Sequence, residues 1–283
     1  MKISTFDVNV LSEQDEFIDN NRFQKFRSKK RKLTGKTDIS RCSTSDSGLA
    51  GQNPYLDPLI EDGVLDELVC IIKSGKEATV YLGLCNNEYL AVKLYTDIRV
   101  RSFRKDDIYR QGRYIGEKRI EKAIEQGSKF GLDAHQMIWV GEEFRQMKRL
   151  HLENVPVPKP VAISGLAIAM EFIGTEDGDP APRISDMSLS KDEAEDAFRQ
   201  SLGILSAIHK LGKVHGDFSA FNLLLHNGKV TAIDFPQMID AISNNDCEYL
   251  LRRDIASLCK SFRKFGIKPD EERICRQFHV KYL

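Results

Sequence analysis

The stretch Val214-His215-Gly216-Asp217-Phe218-Ser219-Ala220-Phe221-Asn222, followed by Asp234 in Ala232-Ile233-Asp234-Phe235-Pro236, constrains this chain more than any other. Between Asn222 and Asp234 lie two apolar runs, Leu223-Leu224-Leu225 and Val230 to Ile233, separated by His226-Asn227-Gly228. An Asn-Gly pair between such runs predicts a tight hairpin. Asn222 and Asp234 then fall at the same end of two paired strands, where their side chains can share one metal ion. An Asp that can take a proton, an Asn five residues on and an Asp leading off a second strand suit the metal-assisted transfer of a phosphoryl group.

The N-terminal half reads as preparation for that site. Leu68 to Lys73, Thr79 to Leu84 and Tyr89 to Tyr95 have strand character, joined by Ser74-Gly75-Lys76-Glu77-Ala78 and by an Asn86-Asn87 turn. A turn with Gly75 at its tip can aim backbone N–H groups at phosphate oxygens, and Lys93 brings a point charge to the same place. A Ser-Gly-Lys turn taken alone is more often a plain hairpin. Lys93, set among Ala91, Val92 and Leu94, is less easily dismissed, because a buried ammonium needs a carboxylate or phosphate partner. The charged segment Ile98 to Ala134 reads as a mobile insertion. A helix is expected from near Ala134, with Val140, Phe144, Met147 and Leu150 on one face and Glu143 beside it, where its carboxylate could reach Lys93. Val155-Pro156-Val157-Pro158-Lys159-Pro160 ends that helix. Strands Val161 to Ser164 and Leu166 to Phe172 follow. Met170-Glu171-Phe172-Ile173-Gly174 then closes a first lobe, and its edge backbone is either an adenine contact or an ordinary strand end.

Downstream, Ser190-Lys191-Asp192-Glu193 is a capping box for a helix through Ala194, Ala197, Phe198, Leu202, Leu205 and Ile208, ending at Gly212. Cys247 to Phe265 returns to helical spacing through Leu250, Leu251, Ile255 and Leu258, and one more short helix is expected before Leu283. Residues 1–53 are polar and aperiodic and read as a disordered tail; 54–173 form the first lobe with a flexible insertion at 98–134, and 174–283 the second. The tail carries Arg22-Phe23-Gln24-Lys25-Phe26-Arg27 and Lys29-Lys30-Arg31-Lys32, a cluster suited to RNA phosphates and bases, although such runs are more often simply solvated. With 42 basic and 42 acidic side chains in 283 residues, overall charge argues for neither a nucleic-acid nor a membrane partner. The six cysteines form no Cys-x-x-Cys pair, no run approaches a membrane helix, and the six histidines add no zinc spacing. A soluble cytoplasmic protein with reduced thiols is expected.

Five motifs, Ser74-Gly75-Lys76-Glu77-Ala78, Ala91-Val92-Lys93, Met170-Glu171-Phe172-Ile173-Gly174, His215 to Asn222 and Ile233-Asp234-Phe235-Pro236-Gln237, together resemble the RIO family of atypical protein kinases. The resemblance covers about Pro54 to Gly266. It implies an α+β, two-lobed protein-kinase-like fold, with a small β-rich N-lobe and a mostly helical C-lobe, that uses ATP and Mg²⁺. By motif position Lys93 would bind the α and β phosphates and pair with Glu143, while Ser74, Gly75, Lys76, Glu77 and Ala78 cover the nucleotide. Met170, Glu171 and Ile173 would form the hinge. Asp217 would orient or deprotonate the acceptor, and Asn222 and Asp234 would hold the metal. Gly216 stands where typical kinases carry an Arg that receives an activation-loop phosphate, and no Ala-Pro-Glu sequence follows Asp234. The resemblance therefore implies an autophosphorylating kinase or ATPase that acts in ribosome assembly, in contact with ribosomal RNA or a pre-ribosomal particle, with Asp234 as a further phosphate acceptor. Pro236, by fixing its own backbone, is expected to resist flipping of the Asp234 segment. Two rival readings are a small-molecule kinase of the aminoglycoside or choline type and a nucleotide-binding scaffold on ribosomal particles.

Overall fold

The computed structural model describes residues 53–96, 122–124, 126–242 and 244–278. The basic cluster at 22–32 and most of the expected insertion lie outside the described residues. The chain divides into two compact units: the first takes the described residues up to Gly141 together with Val161–Glu171, the second takes Glu142–Pro160 and the described residues from Phe172 onward.

The first unit is built on a five-stranded sheet. Helix α1 (Asp57–Glu61) leads into β1 (Glu67–Ser74), β2 (Ala78–Cys85) and β3 (Glu88–Tyr95), and β4 (Pro160–Ser164) and β5 (Ala167–Glu171) complete the order β1-β2-β3-β5-β4. The helix α1 was not anticipated from the sequence. Pro58 occupies its first turn, where a missing N–H costs nothing, and the Asp62 N–H closes it on the Pro58 carbonyl at 2.9 Å. Leu56 at its N-cap and Leu59 within it, with Leu65 behind them, cover Val92, Ala167 and Ala169 as the core of this unit. Two register shifts in β1 bend the edge of the sheet. Because β3 pairs on both sides, Lys93 lies opposite Val80 on one flank and Ile168 on the other.

Helix α2 (Lys129–Leu152) contributes residues to both units. It starts at Lys129, inside the segment expected to be an insertion loop, and not near Ala134. Ser128 is the reason: its hydroxyl accepts the Gly131 N–H at 3.1 Å and its carbonyl accepts the Leu132 N–H at 2.9 Å, the geometry of an N-cap. At the other end Asn154, with φ +58°, turns the chain before the prolines are reached.

The second unit contains α3 (Lys191–Lys210), the short β6 (Lys213–Val214), a 3₁₀ turn over Ala220–Asn222, β7 (Leu223–His226), β8 (Lys229–Ala232), β9 (Ile239–Asp240), α4 (Cys247–Arg263) and α5 (Glu271–Gln277). The expected capping box is present: the Ser190 hydroxyl accepts the Glu193 N–H, and the Glu193 carboxylate accepts the Ser190 N–H at 2.9 Å. Asn227 and Gly228 both take positive φ, as a two-residue hairpin turn requires, and the register runs from His226↔Lys229 to Leu223↔Ala232. Gln200 of α3 grips this turn, donating to the Gly228 carbonyl at 2.8 Å and accepting the Val230 N–H at 2.9 Å. Leu205, Ile208, Leu223, Leu250, Ile255, Leu258 and Phe262 are fully buried here. No described helix is long and apolar enough to cross a membrane, and none of the five described cysteines forms a disulfide.

The turn between β4 and β5 yields a stability test. Gly165 has φ +54°, and a Cβ placed there would lie 2.3 Å from Cδ1 of Tyr55. Gly165→Ala therefore meets both backbone strain and a collision, and should cost about 1–3 kcal/mol in urea unfolding. In a Tyr55→Ala background the collision is gone and the penalty should shrink toward the strain alone. An equal penalty in both backgrounds would show that the ring is not the obstacle.

Candidate active site

The hairpin brings Asn222 and Asp234 to the same end of two paired strands, as its register requires. The Ile233 N–H donates to the Asn222 carbonyl at 3.0 Å, which extends the β7–β8 ladder by one pair and sets Asp234 beside the start of β7. Asn222, only 5% exposed, uses its side-chain NH₂ on Asp217 twice, at 2.9 Å to the carbonyl and 3.0 Å to the carboxylate. The carboxylate of Asp217 is thus held while the residue stays open to solvent. The Asn222 NH₂ faces Asp217, so its Oδ1 is the side-chain atom not used on Asp217. An amide oxygen and a carboxylate such as that of Asp234 are hard donors of the kind that suits Mg²⁺. Asp234 itself has φ +72°; among the described residues every other non-glycine with positive φ is an asparagine. The strand therefore breaks at Asp234, and the next N–H, on Phe235, donates to the Glu143 carboxylate at 3.3 Å. Glu143, which the sequence directed toward Lys93, is 3% exposed. Within the second unit it holds the backbone next to Asp234.

What fixes the loop between Val214 and Asn222 was not foreseen. Asp254 on α4 is 1% exposed and accepts the Gly216 N–H at 2.8 Å and the Phe218 N–H at 3.0 Å. Its neighbour Arg253 donates to the Gly216 carbonyl, and Ser261, two turns on, accepts the Ala220 N–H at 3.3 Å. The sequence did contain the signal: Leu250, Leu251, Asp254, Ile255 and Leu258 form one face at helical spacing, so an Asp stands in an otherwise apolar stripe. A carboxylate buried there must find donors. His215 is fully buried, edge-on to Phe218 at 5.3 Å and Phe235 at 5.4 Å, and its Nδ1 accepts the Asp217 N–H at 3.3 Å. So placed, it supports the loop from within the core. Lys213, buried on β6, pairs with Asp240 of β9 at 3.1 Å, tying the strand that enters the loop to the segment that follows Asp234.

In the first unit the Ser74 to Ala78 turn is closed by the Gly75 N–H on the Ala78 carbonyl at 3.0 Å, and Ser74, Gly75, Lys76 and Glu77 are exposed. The Lys93 ammonium sits 4.9 Å above the centre of the Tyr95 ring, a cation–π contact that orients it along the same face of β3. Met170 and Glu171 end β5. Ile173, in the second unit, gives its carbonyl to the Ala181 N–H at 2.9 Å.

Two buried titrating groups oppose one another. Burial lowers His215 from 6.5 to about 4, against the Asp234 charge and the Ile233 backbone. Burial raises Asp254 from 3.8 to about 6, against the two N–H groups and Arg253. Between pH 6.5 and 4 the unfolded chain takes up a proton that native His215 refuses, so this group makes stability fall on acidification. Between pH 3.8 and 6 native Asp254 keeps a proton that the unfolded chain has lost, so it makes stability fall as pH rises. Their slopes cancel over most of that window. Asp254→Asn should expose the His215 slope, up to about 1.4 kcal/mol per pH unit relative to the parent. Urea unfolding at pH 4.5 and 5.5 reads the difference, and identical slopes in parent and variant would refute the compensation.

Comparison with known proteins matches this arrangement to one family. Residues 79–274 match the family model of the RIO domain. The RIO-type serine/threonine-protein kinase Rio1 of Haloferax volcanii is 31% identical over 219 residues, covering 76% of this chain and 70% of that protein. Serine/threonine-protein kinase RIO1 of Caenorhabditis elegans is 31% identical over 213 residues, covering 74% of this chain and 40% of its own length. Human serine/threonine-protein kinase RIO3 is 27% identical, with 74% and 41% covered, so the chain spans less than half of these two animal relatives. Among solved structures, the Rio2 kinase–ADP/Mg²⁺–phosphoaspartate complex of Chaetomium thermophilum superposes with a TM-score of 0.58 at 19% identity, over 82% of this chain and 70% of that one, which shows a common α+β, kinase-like fold. The chain belongs to the RIO family of atypical serine/threonine protein kinases.

Proposed function

We propose that the chain is an ATP- and Mg²⁺-dependent RIO-type kinase and ATPase that phosphorylates itself and acts as a nucleotide-driven switch in ribosome assembly. The observation that carries this reading is the joint placement of Asp217, Asn222 and Asp234 by one hairpin and one loop, with the Asn222 amide bridging to the Asp217 carboxylate at 3.0 Å. Lys93 and the Ser74 to Ala78 turn bind the phosphates, and Glu143, besides holding Phe235, is the carboxylate proposed to partner Lys93. Met170, Glu171 and Ile173 take the adenine. Asp217 accepts a hydrogen bond, and then the proton, from the attacking hydroxyl or water, while the bond between the γ-phosphorus and the β–γ bridging oxygen breaks and ADP leaves. Asn222 and Asp234 hold Mg²⁺, which when bound neutralises charge on the phosphate oxygens. Most of the acceleration then comes from positioning and electrostatics, because little covalent chemistry is asked of the protein.

Asp234 is also the proposed phosphate acceptor, a reading supported by the phosphoaspartate in the Chaetomium Rio2 complex. The basic cluster at 22–32 is the proposed contact with RNA of a pre-ribosomal particle, and a cytoplasmic location suits described cysteines that form no disulfide. The small-molecule reading is disfavoured because the relatives named above are protein kinases.

Release of inorganic phosphate from ATP tests the assignment. Asp217→Ala should lower the rate by about 10²–10⁴-fold with nucleotide binding retained, and a variant as fast as the parent would remove Asp217 from the chemistry. Phosphate left on the chain should be labile to hydroxylamine and absent in Asp234→Asn. Robust phosphorylation of an added protein at many times the enzyme concentration, with negligible ATP hydrolysis, would rule out the switch.

A further inference from the structure

The two peptide groups that flank Asp217 are each held at both ends. In the group between Asp217 and Phe218, the Asp217 carbonyl accepts from Asn222 at 2.9 Å and the Phe218 N–H donates to Asp254 at 3.0 Å. In the group between Gly216 and Asp217, the N–H donates to His215 Nδ1 at 3.3 Å and the Gly216 carbonyl accepts from the Arg253 guanidinium. Peptide groups are planar, so fixing both of these planes fixes φ and ψ of Asp217 and with them the direction of its side chain. The plane on the C-terminal side has two firm anchors. Its N-terminal counterpart has a long bond to a neutral imidazole and a charge-assisted bond from Arg253, so Arg253 is its principal restraint. Gly216, at φ +82°, gives the loop the left-handed turn that directs its carbonyl at α4 and its N–H at Asp254, the adjacent residue of the same helix.

We propose that Arg253 is a positioning residue for Asp217, and that it sets the catalytic loop from within the fold without any phosphate on the chain. An arginine carried by the loop at position 216 would need an external anion to hold it. Arg253 comes instead from a helix whose next residue is buried and bound to the same loop, so its anchor is permanent. A guanidinium presents several donors in a rigid fork, whereas a lysine offers one flexible point charge, so charge alone does not replace it. The proposal rests on the reading of Asp217 as the group that orients the acceptor.

The test compares Arg253→Met, Arg253→Lys and Asp217→Ala in the full chain, reading phosphate release from ATP, thermal midpoint and amide hydrogen exchange at Asp217 and Phe218. Arg253→Met should lower kcat about 10- to 100-fold, with KM for ATP changed less than about 2-fold because no nucleotide contact is touched. Arg253→Lys should recover part of the loss, exchange at Asp217 should quicken, and phosphatase treatment of the parent should leave its rate intact. Adding Asp217→Ala to Arg253→Met should cost nothing beyond Asp217→Ala alone, since both act through one carboxylate. A parental kcat in Arg253→Met beside an inactive Asp217→Ala would overturn the proposal, as would multiplicative losses in the double variant, a loss that merely follows the unfolded fraction, or inactivation by phosphatase. If Asp217→Ala is fully active, the reading of Asp217 fails, and unchanged exchange in Arg253→Met would then overturn the positioning role independently.

Discussion

A carboxylate inside α4 holds the second unit's chemistry in place. Asp254 stands on the buried face of a helix among Leu250, Leu251, Ile255 and Leu258, and its two oxygens take the N–H groups of Gly216 and Phe218. Those N–H groups belong to a loop with little regular structure, so without Asp254 they would be buried donors lacking a partner, at about 1–3 kcal/mol each. The exchange is mutual, because the carboxylate could not be buried without them. Asn222, through its bonds to Asp217, closes the same loop from the hairpin side. The site is therefore a junction of two elements, a helix and a hairpin.

The strong local signals in the sequence were those of that hairpin. Asn227-Gly228 fixes the turn, the turn fixes the register, and the register places Asn222 and Asp234. Each step is local and needs no knowledge of packing, which is why the pair was legible from residues alone. The capping box at Ser190 and the strands around Lys93 were legible for the same reason. Ser128 carried an equally local signal for the start of α2, but it stands among charged residues that resemble an insertion, and the cap was not read.

What the sequence did not disclose are interactions between residues far apart in the chain. The bond from Phe235 to Glu143 spans 92 positions, and those from the loop to Asp254 span 38 and 36. Nothing in local spacing selects such partners; only the anomaly of a charged residue on an apolar face points to them, and it does not say who answers. The pairing of β6 with β9 is similar, since two-residue strands have no periodicity to read. Arg253 was hidden further, because an Arg beside Arg252 on a charged helix looks like solvent-facing surface.

The same logic bears on Asp234. Turning this residue away from Asn222 would have to release φ +72°, break the Phe235 N–H bond to a buried Glu143, and draw the Phe235 ring, 2% exposed, off the His215 imidazole. A hydrogen bond to a charged group contributes about 1.5–3 kcal/mol and a buried Phe side chain about as much again. Relief of the strained φ returns only about 1–3 kcal/mol. Pro236, buried beside Phe235, removes the backbone freedom through which a glycine there would let the peptide swing. The balance favours Asp234 keeping its place at the end of the β7–β8 hairpin.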